Sequence, residues 1–391
     1  MTPRRTCLIV EGGLFTTVQD LGRIGFQRFG VPVSGAMDPF ALRAANRLVG
    51  NDDHTACLEI TLVGPEIAFT TAARIAITGG DLGPSIDARP IRLWHAVEVP
   101  AGARLGFSGR CQGMRAYLAC AGGFDVPVVL GSRSTFTRSA LGGFQGRALK
   151  AGDELPLGKA DAGERGRRFD RRLVPRYGDP QVVRVVLGPQ HDAFTAEGLA
   201  AFLESEFVVS AHSDRIGCRL QGPVITHRTT ADIVSDGTAF GSVQVSGDGQ
   251  PIVLMADRGT TGGYTKIATV ISADLMWIAQ AAPGDRVRFR AIARDEALEA
   301  LREQEARLET MIAVQERPAF EKPDGPVFDE DGADAYLAEA SAEFGEALRE
   351  TGGREGDRRQ AMGDREGIRR QATGDGEGIR RQAMGDGRQG A

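Results

Sequence analysis

Between about residues 7 and 290, short apolar runs are interrupted again and again by Gly, Pro and Asp. A chain cut so often cannot build many long helices, and its 52 glycines favour β-turns. Several runs alternate with period two, as half-buried strands do: Arg74-Ile-Ala-Ile-Thr78, Arg115-Ala-Tyr-Leu-Ala119, Val182-Val-Arg-Val-Val-Leu187 and Arg286-Val-Arg-Phe289. Two segments read as helices. Met37 to Leu48 opens on Asp38-Pro39, where proline suits the first turn, and Gln190 to Leu203 carries Phe194, Leu199, Phe202 and Leu203. The expectation is a mainly β protein with a minor α content.

The body divides into an N-terminal β-rich subdomain over residues 1–160 and a second over 177–292, with the charged, Gly-rich segment Lys159 to Arg176 as linker. Short echoes suggest that the halves are related. Val33-Ser-Gly-Ala-Met-Asp38 echoes Val209-Ser-Ala-His-Ser-Asp214. Gly64-Pro-Glu-Ile-Ala-Phe69 echoes Gly222-Pro-Val-Ile-Thr-His227, and Pro100 to Phe107 echoes Pro283 to Phe289. Two such halves place a ligand cleft between them. Residues 293–350 read as a helical extension, with helices over Asp295 to Val314 and Ala333 to Arg349. From 351 to 391 an 11-residue repeat begins Arg358-Arg-Gln-Ala-Met-Gly-Asp, recurs at Arg369 and Arg380, and is too Gly-rich and charged to bury a core. The expectation there is disorder.

A net charge of −5 gives no electrostatic case for nucleic acid or an anionic membrane surface. No uninterrupted apolar stretch of about 18 residues exists to span a bilayer. Five cysteines without CxxC spacing read as reduced thiols of a cytoplasmic protein, and five scattered histidines give no metal-ligand pattern. Neither a P-loop, nor a biotin-carrying Met-Lys-Met, nor a Gly-x-Ser-x-Gly elbow is present. Trp94, His95 and Trp277 read as core or interface residues.

Chemistry concentrates in three clusters. Asp257-Arg-Gly-Thr-Thr-Gly-Gly-Tyr-Thr-Lys266 follows the apolar run Pro251 to Ala256 and offers Asp257, Arg258, Thr260, Thr261, Gly262, Gly263, Tyr264 and Lys266. Its glycines let a ligand approach the backbone. Asp214, Arg215 and Arg219 form the second cluster, and Gln19, Asp20 and Arg23 the third. Arg215 and Arg258 suit carboxylate or phosphoryl oxygens, with Asp257 or Asp214 as base or orienter. Without a ligand, each Asp-Arg pair reads as an ion pair bracing a turn. Ser132, Ser134 and Thr135 form a turn that either binds an anion through backbone N–H groups or is a plain ST-turn.

Four blocks carry a family resemblance. They are Thr16-Thr-Val-Gln-Asp-Leu-Gly-Arg-Ile-Gly-Phe26 with Val31 to Asp38; Leu58-Glu-Ile-Thr-Leu-Val-Gly-Pro65 with Ala76 to Asp81; Arg115 to Phe124 with Leu130 to Thr135; and Ser213 to Leu220 with Gly241 to Val245 and the 257–266 segment. Over roughly residues 8 to 290 the chain resembles the family of the 5-oxoprolinase C subunit, also called KipA or allophanate hydrolase subunit 2, which also forms part of the carboxyltransferase region of urea carboxylase. The resemblance implies cyclophilin-like barrels, B and A subunits as partners, and ATP-dependent opening of 5-oxoproline to glutamate, with the ATP held by this chain or by a partner subunit. It implies alternatively a biotin-dependent carboxyltransferase whose biotin comes from another protein, or a KipA-like regulatory binding protein. Where the family's loop has Gln and Pro, this chain has Gly259 and Thr265, which loosens the loop and removes an amide group.

Overall fold

The computed structural model describes residues 5–160, 166–178 and 181–313. The helix expected over Ala333 to Arg349 and the 11-residue repeats lie outside these residues. The architecture is mainly β, as expected. Strands Phe15–Gln19, Cys57–Thr61, Gln112–Cys120, Ala73–Asp81 and Ala96–Val99 form one antiparallel sheet of the first half, in that order. A six-stranded sheet built around Thr6–Glu11, Glu66–Phe69 and Arg104–Phe107 packs against it. Ile9, Leu58, Ile60, Ile75, Ile77, Leu105 and Leu118 fill the layer between the two.

The other face of the five-stranded sheet decides where function can lie. Cys57–Thr61 is buried at all five positions, so both of its faces are covered. Leu58 and Ile60 point into the sandwich, whereas Cys57 and Tyr117 belong to the cluster under the helix α1, Pro39–Val49. By the alternation of side chains along strands, Thr17, Glu59, Tyr117 and Thr78 form one row across that second face. A glutamate in such a row has no water and must find a partner. Asp38 caps α1 by accepting from Ala41 N at 3.0 Å, Pro39 follows it, and Gly50 closes the helix in the left-handed conformation that glycine adopts readily.

The second half closes on itself. Strands Gln181–Leu187, Arg286–Ala291, Glu206–Val209, Gly217–Gln221, Pro251–Leu254, Ser242–Val245 and Thr261–Val270 are bonded in that order, and the last returns to the first. Val183, Phe207, Leu220, Val243, Val253, Ile267 and Phe289 share the core of this seven-stranded barrel. The helix α2, Ala196–Glu204, packs Phe202 on Phe289, with ring centroids 4.6 Å apart. Asp232–Gly237 hangs on the outside as an eighth strand.

Several elements differ from the sequence expectation. The helix expected over Gln190 to Leu203 is broken into a 3-10 turn, His191–Ala193, and α2, because Thr195 Oγ1 accepts from Gly198 N at 3.0 Å and starts a new helix. The short helix α3, Leu275–Gln280, was not expected. Asp295 to Val314 becomes α4, Arg294–Leu308, followed by a two-residue strand, Ile312–Ala313, paired with Arg167–Arg168. Within the expected linker Phe169 is buried against Phe40 and Trp94, so that segment contributes to the core. α4 lies back on α1 through Arg43, which grips Glu305 with both terminal nitrogens at 2.5 and 2.7 Å.

Candidate active site

The Asp257 to Lys266 segment is less of a loop than its glycines suggest. It turns over Ala256 to Thr260 and joins the barrel ladder from Thr261 onward. Tyr264 is 40% exposed. Lys266 is buried, with Nζ 3.2 Å from Asp236 Oδ2, an ion pair that lacks hydrogen-bond alignment. Thr260, Thr261, Gly262 and Gly263 line the outward path of the strand. Asp257 and Arg258 stay at its foot.

Arg215 meets Asp257 there. Its Nε donates to Asp257 Oδ2 at 2.9 Å and its Nη2 to Oδ1 at 3.2 Å, a two-pronged grip. Nη2 also donates to Gly35 O at 2.6 Å, and Nη1 to Glu59 Oε1. Arg215 thus spans the two halves and satisfies two buried carboxylates. Glu59 Oε2 accepts from Met37 N and from Tyr117 Oη, both at 2.8 Å. Asp38 N donates to Tyr117 Oη at 2.8 Å, and Asp38 Oδ2 accepts from Gln280 Nε2 at 3.0 Å. Gln280 Oε1 accepts from Met114 N and Arg115 N. A continuous buried polar chain therefore runs from Asp257 through Arg215, Glu59 and Tyr117 to Asp38 and α3. Complete burial pushes the Asp38 carboxyl up to about 6.

Asp214 lies apart. It is exposed, and its Oδ1 accepts from Ile216 N at 2.8 Å and Gly217 N at 3.1 Å, which braces the turn before the Gly217–Gln221 strand.

The Ser132 to Thr135 turn does bind an anion, and the anion is the chain's own Asp20. Ser132 Oγ donates to Asp20 Oδ1 at 2.6 Å, Arg133 N to Oδ2 at 2.5 Å and Gly22 N to Oδ1 at 2.8 Å, with Ser134 Oγ as a further donor to Oδ1. That wrapping fixes the backbone between Gln19 and Arg23. Gln19 Nε2 donates to Thr135 O at 3.1 Å and Arg23 Nη2 donates to Ser134 O. The rest of the Arg23 guanidinium is unanswered. Nε and Nη1 have no hydrogen-bond partner among the described residues, although the side chain is only 1% exposed. Burial pulls its pKa down against the fields of Asp20 and Asp257. Arg258 repeats the pattern. It has no acidic partner among the described residues, its Nε is unpartnered, its guanidinium carbon sits 5.3 Å from the Phe240 ring centroid, and burial lowers its pKa. The site thus pairs one satisfied arginine, Arg215, with two arginines that hold donors in reserve. No group of three His, Cys, Asp or Glu among the described residues is placed to hold a metal.

A family model described as the carboxyltransferase domain, subdomain A and B, matches residues 29–291. The chain belongs to this carboxyltransferase domain family. The family match takes in Arg215 and the three residues that its guanidinium joins, Gly35, Glu59 and Asp257. The chain is 40% identical over 303 residues to the C subunit of 5-oxoprolinase from Escherichia coli (strain K12), a match that covers 78% of this chain and 96% of that one. It is 37% identical over 298 residues to the 5-oxoprolinase C subunit of Haemophilus influenzae, covering 76% and 95%. Among solved structures it resembles K. lactis urea amidolyase with a TM-score of 0.75 at 31% identity, covering 79% of this chain and 20% of that one. The match therefore spans nearly all of the two 5-oxoprolinase C subunits and about a fifth of the urea amidolyase.

Glu59, Tyr117, Asp38 and Gln280 escaped the sequence reading as site residues. The available signal was the single acid inside the apolar strand Leu58-Glu-Ile-Thr, since a lone glutamate buried in a sheet implies a buried cation opposite. Nothing in spacing pointed to Arg215 as that cation.

Proposed function

We propose that the chain is the C subunit of a multi-component 5-oxoprolinase, which with its A and B subunits uses ATP to open 5-oxo-L-proline to L-glutamate. The observation that carries this reading is the 40% identity over 96% of the length of the E. coli 5-oxoprolinase C subunit. We place the complex in the cytoplasm, where its free thiols stay reduced. No helix of the described residues is long and apolar enough to cross a membrane.

A lactam is a resonance-stabilised amide, so a site that opens it must stabilise negative charge on the amide oxygen and position a water. Arg258, half-buried with a free Nε, suits the oxygen that gains charge. Asp257, locked in orientation by Arg215, suits the water or its proton. The donors left over on Arg23 and Arg258 do not make a triphosphate cradle, and Lys266 is engaged by Asp236. ATP therefore falls to the partner subunits in this reading, and no step is assigned to it on this chain.

The likeness to urea amidolyase favours a second reading, carboxyl transfer with biotin brought by another protein. The two separate in one assay. Glutamate release from 5-oxo-L-proline plus ATP is measured with this chain and its A and B candidates, and with each omitted in turn. Release that needs all three is the expected result. Release that persists without this chain refutes the assignment. An assembled but silent complex, with urea carboxylated by a biotinylated partner, establishes the second reading instead.

A further inference from the structure

Arg23 is a buried cation short of acceptors, and two neighbouring groups share its condition. Ser34 Oγ and Gln19 Oε1 are likewise buried and without a hydrogen-bond partner among the described residues. The three converge. Arg23 N donates to Val33 O at 2.8 Å, beside Ser34, while the Arg23 and Gln19 side chains bond the consecutive carbonyls of Ser134 and Thr135. Glu59, Thr17 and Gln19 lie on the same face of the sheet.

We propose that Arg23, Ser34 and Gln19 form a subsite for a small ligand that carries a carboxylate next to an N–H donor. Three observations lead there. Folded proteins seldom leave two donors of a buried guanidinium unanswered, because the desolvation cost is not recovered. The nearby acids supply field but no hydrogen bond to Arg23: Asp20 is held by Ser132, Arg133, Ser134 and Gly22, and Asp257 by Arg215. A carboxylate is a strong, charge-assisted acceptor for a guanidinium N–H. Gln19 Oε1 narrows the class further. An acceptor beside the anion repels a bare oxyanion such as phosphate and rewards a ligand that offers a proton there. In 5-oxoproline the carboxylate and the ring N–H sit on the same carbon, which matches this donor–acceptor pattern; the inference rests on the 5-oxoprolinase reading for that identity. The way in is the segment after Arg23. Ile24 to Gly30 buries no residue, and Ile24 and Phe29 are 69% and 65% exposed, so little packing holds it against opening.

The test is calorimetric titration of the full-length protein with 5-oxo-L-proline and with 2-pyrrolidinone, the same lactam without the carboxylate. The expected result is binding of the acid about 10-fold or more tighter than the neutral lactam. In Arg23→Gln that preference falls to about equal affinity, and in Ser34→Ala the acid weakens several-fold at an unchanged melting temperature. Ser34→Ala decides the matter if Arg23→Gln fails to fold. No binding of the acid by the wild type, equal affinity for the two lactams, or a preference that survives Arg23→Gln overturns the subsite. The subsite and the enzymatic reading fail separately. A complex that releases no glutamate, while the carboxylate preference exists and depends on Arg23, retires the reaction and keeps the subsite. Glutamate release whose KM is unmoved by Arg23→Gln retires the subsite and keeps the reaction.

Discussion

Replacing Arg215 by methionine removes a buried cation that joins the two halves at the site. The side chain loses its two bonds to Asp257, its bonds to Glu59 and Gly35, and leaves two carboxylates whose side chains are 0% and 6% exposed. Breaking a buried pair by deleting one partner costs about 3–5 kcal/mol, because the remaining charge is stranded without water. The stranded acids can escape part of that cost by taking up protons, so the loss is largest at neutral pH. Equilibrium urea unfolding should show Arg215→Met destabilised by about 3–5 kcal/mol at pH 7 and by less at pH 5. Adding Glu59→Gln removes one stranded charge, so the double variant should be more stable than the sum of the singles by about 1–2 kcal/mol. A loss below about 1 kcal/mol at pH 7, or additive singles, would show that the pair is not the brace its geometry describes.

Asp38 gives a pH signature. Its folded carboxyl is raised to about 6, above the ordinary carboxylate value, so the folded state holds that proton more tightly than the unfolded chain. Its stability contribution is then complete below pH about 4 and lost as pH rises through about 6, on the order of 3 kcal/mol in all. Unfolding of Asp38→Asn beside the wild type should show the variant gaining by that order between pH 4 and 7, and a pH-independent difference contradicts it. A Cβ on Gly142, at φ +68°, would meet Ser134 O and lie 2.6 Å from Arg23 Nη2, so Gly142→Ala should cost more than about 1 kcal/mol and weaken carboxylate binding in the titration described for Arg23. Asp20→Ala leaves the Ser132 to Ser134 donors without their acceptor and should lower stability by about 1–3 kcal/mol, read as a fall in melting temperature.

The β-rich character was legible because strand alternation is local: Arg115 to Ala119 and Val182 to Leu187 sit inside the strands observed. α1 was legible for the same reason, since its cap, its first-turn proline and its closing glycine are written in consecutive residues. α2 was misjudged at its start because apolar spacing at Phe194 ran past the Thr195 cap, which only the hydrogen bond to Gly198 reveals. The candidate site was half legible. Asp257, Arg258, Arg215, Gln19 and Arg23 stood out as charged or polar groups in Gly-rich turns. Their division into satisfied and unsatisfied groups did not, because it depends on contacts across 156 residues between Arg215 and Glu59 and 114 between Asp20 and Ser134. The Ser132 to Thr135 turn shows the limit plainly: its composition leaves an anion site and a plain ST-turn both open, and only the fold shows Asp20 bound there.

The most direct test of the account is steady-state glutamate formation from 5-oxo-L-proline and ATP by the complex reconstituted with wild-type chain and with Arg258→Ala. The account predicts a fall in kcat/KM of about 100-fold or more, as expected for loss of a donor that stabilises developing charge, with the complex still assembled. An assembled Arg258→Ala complex with unchanged kcat/KM would contradict it.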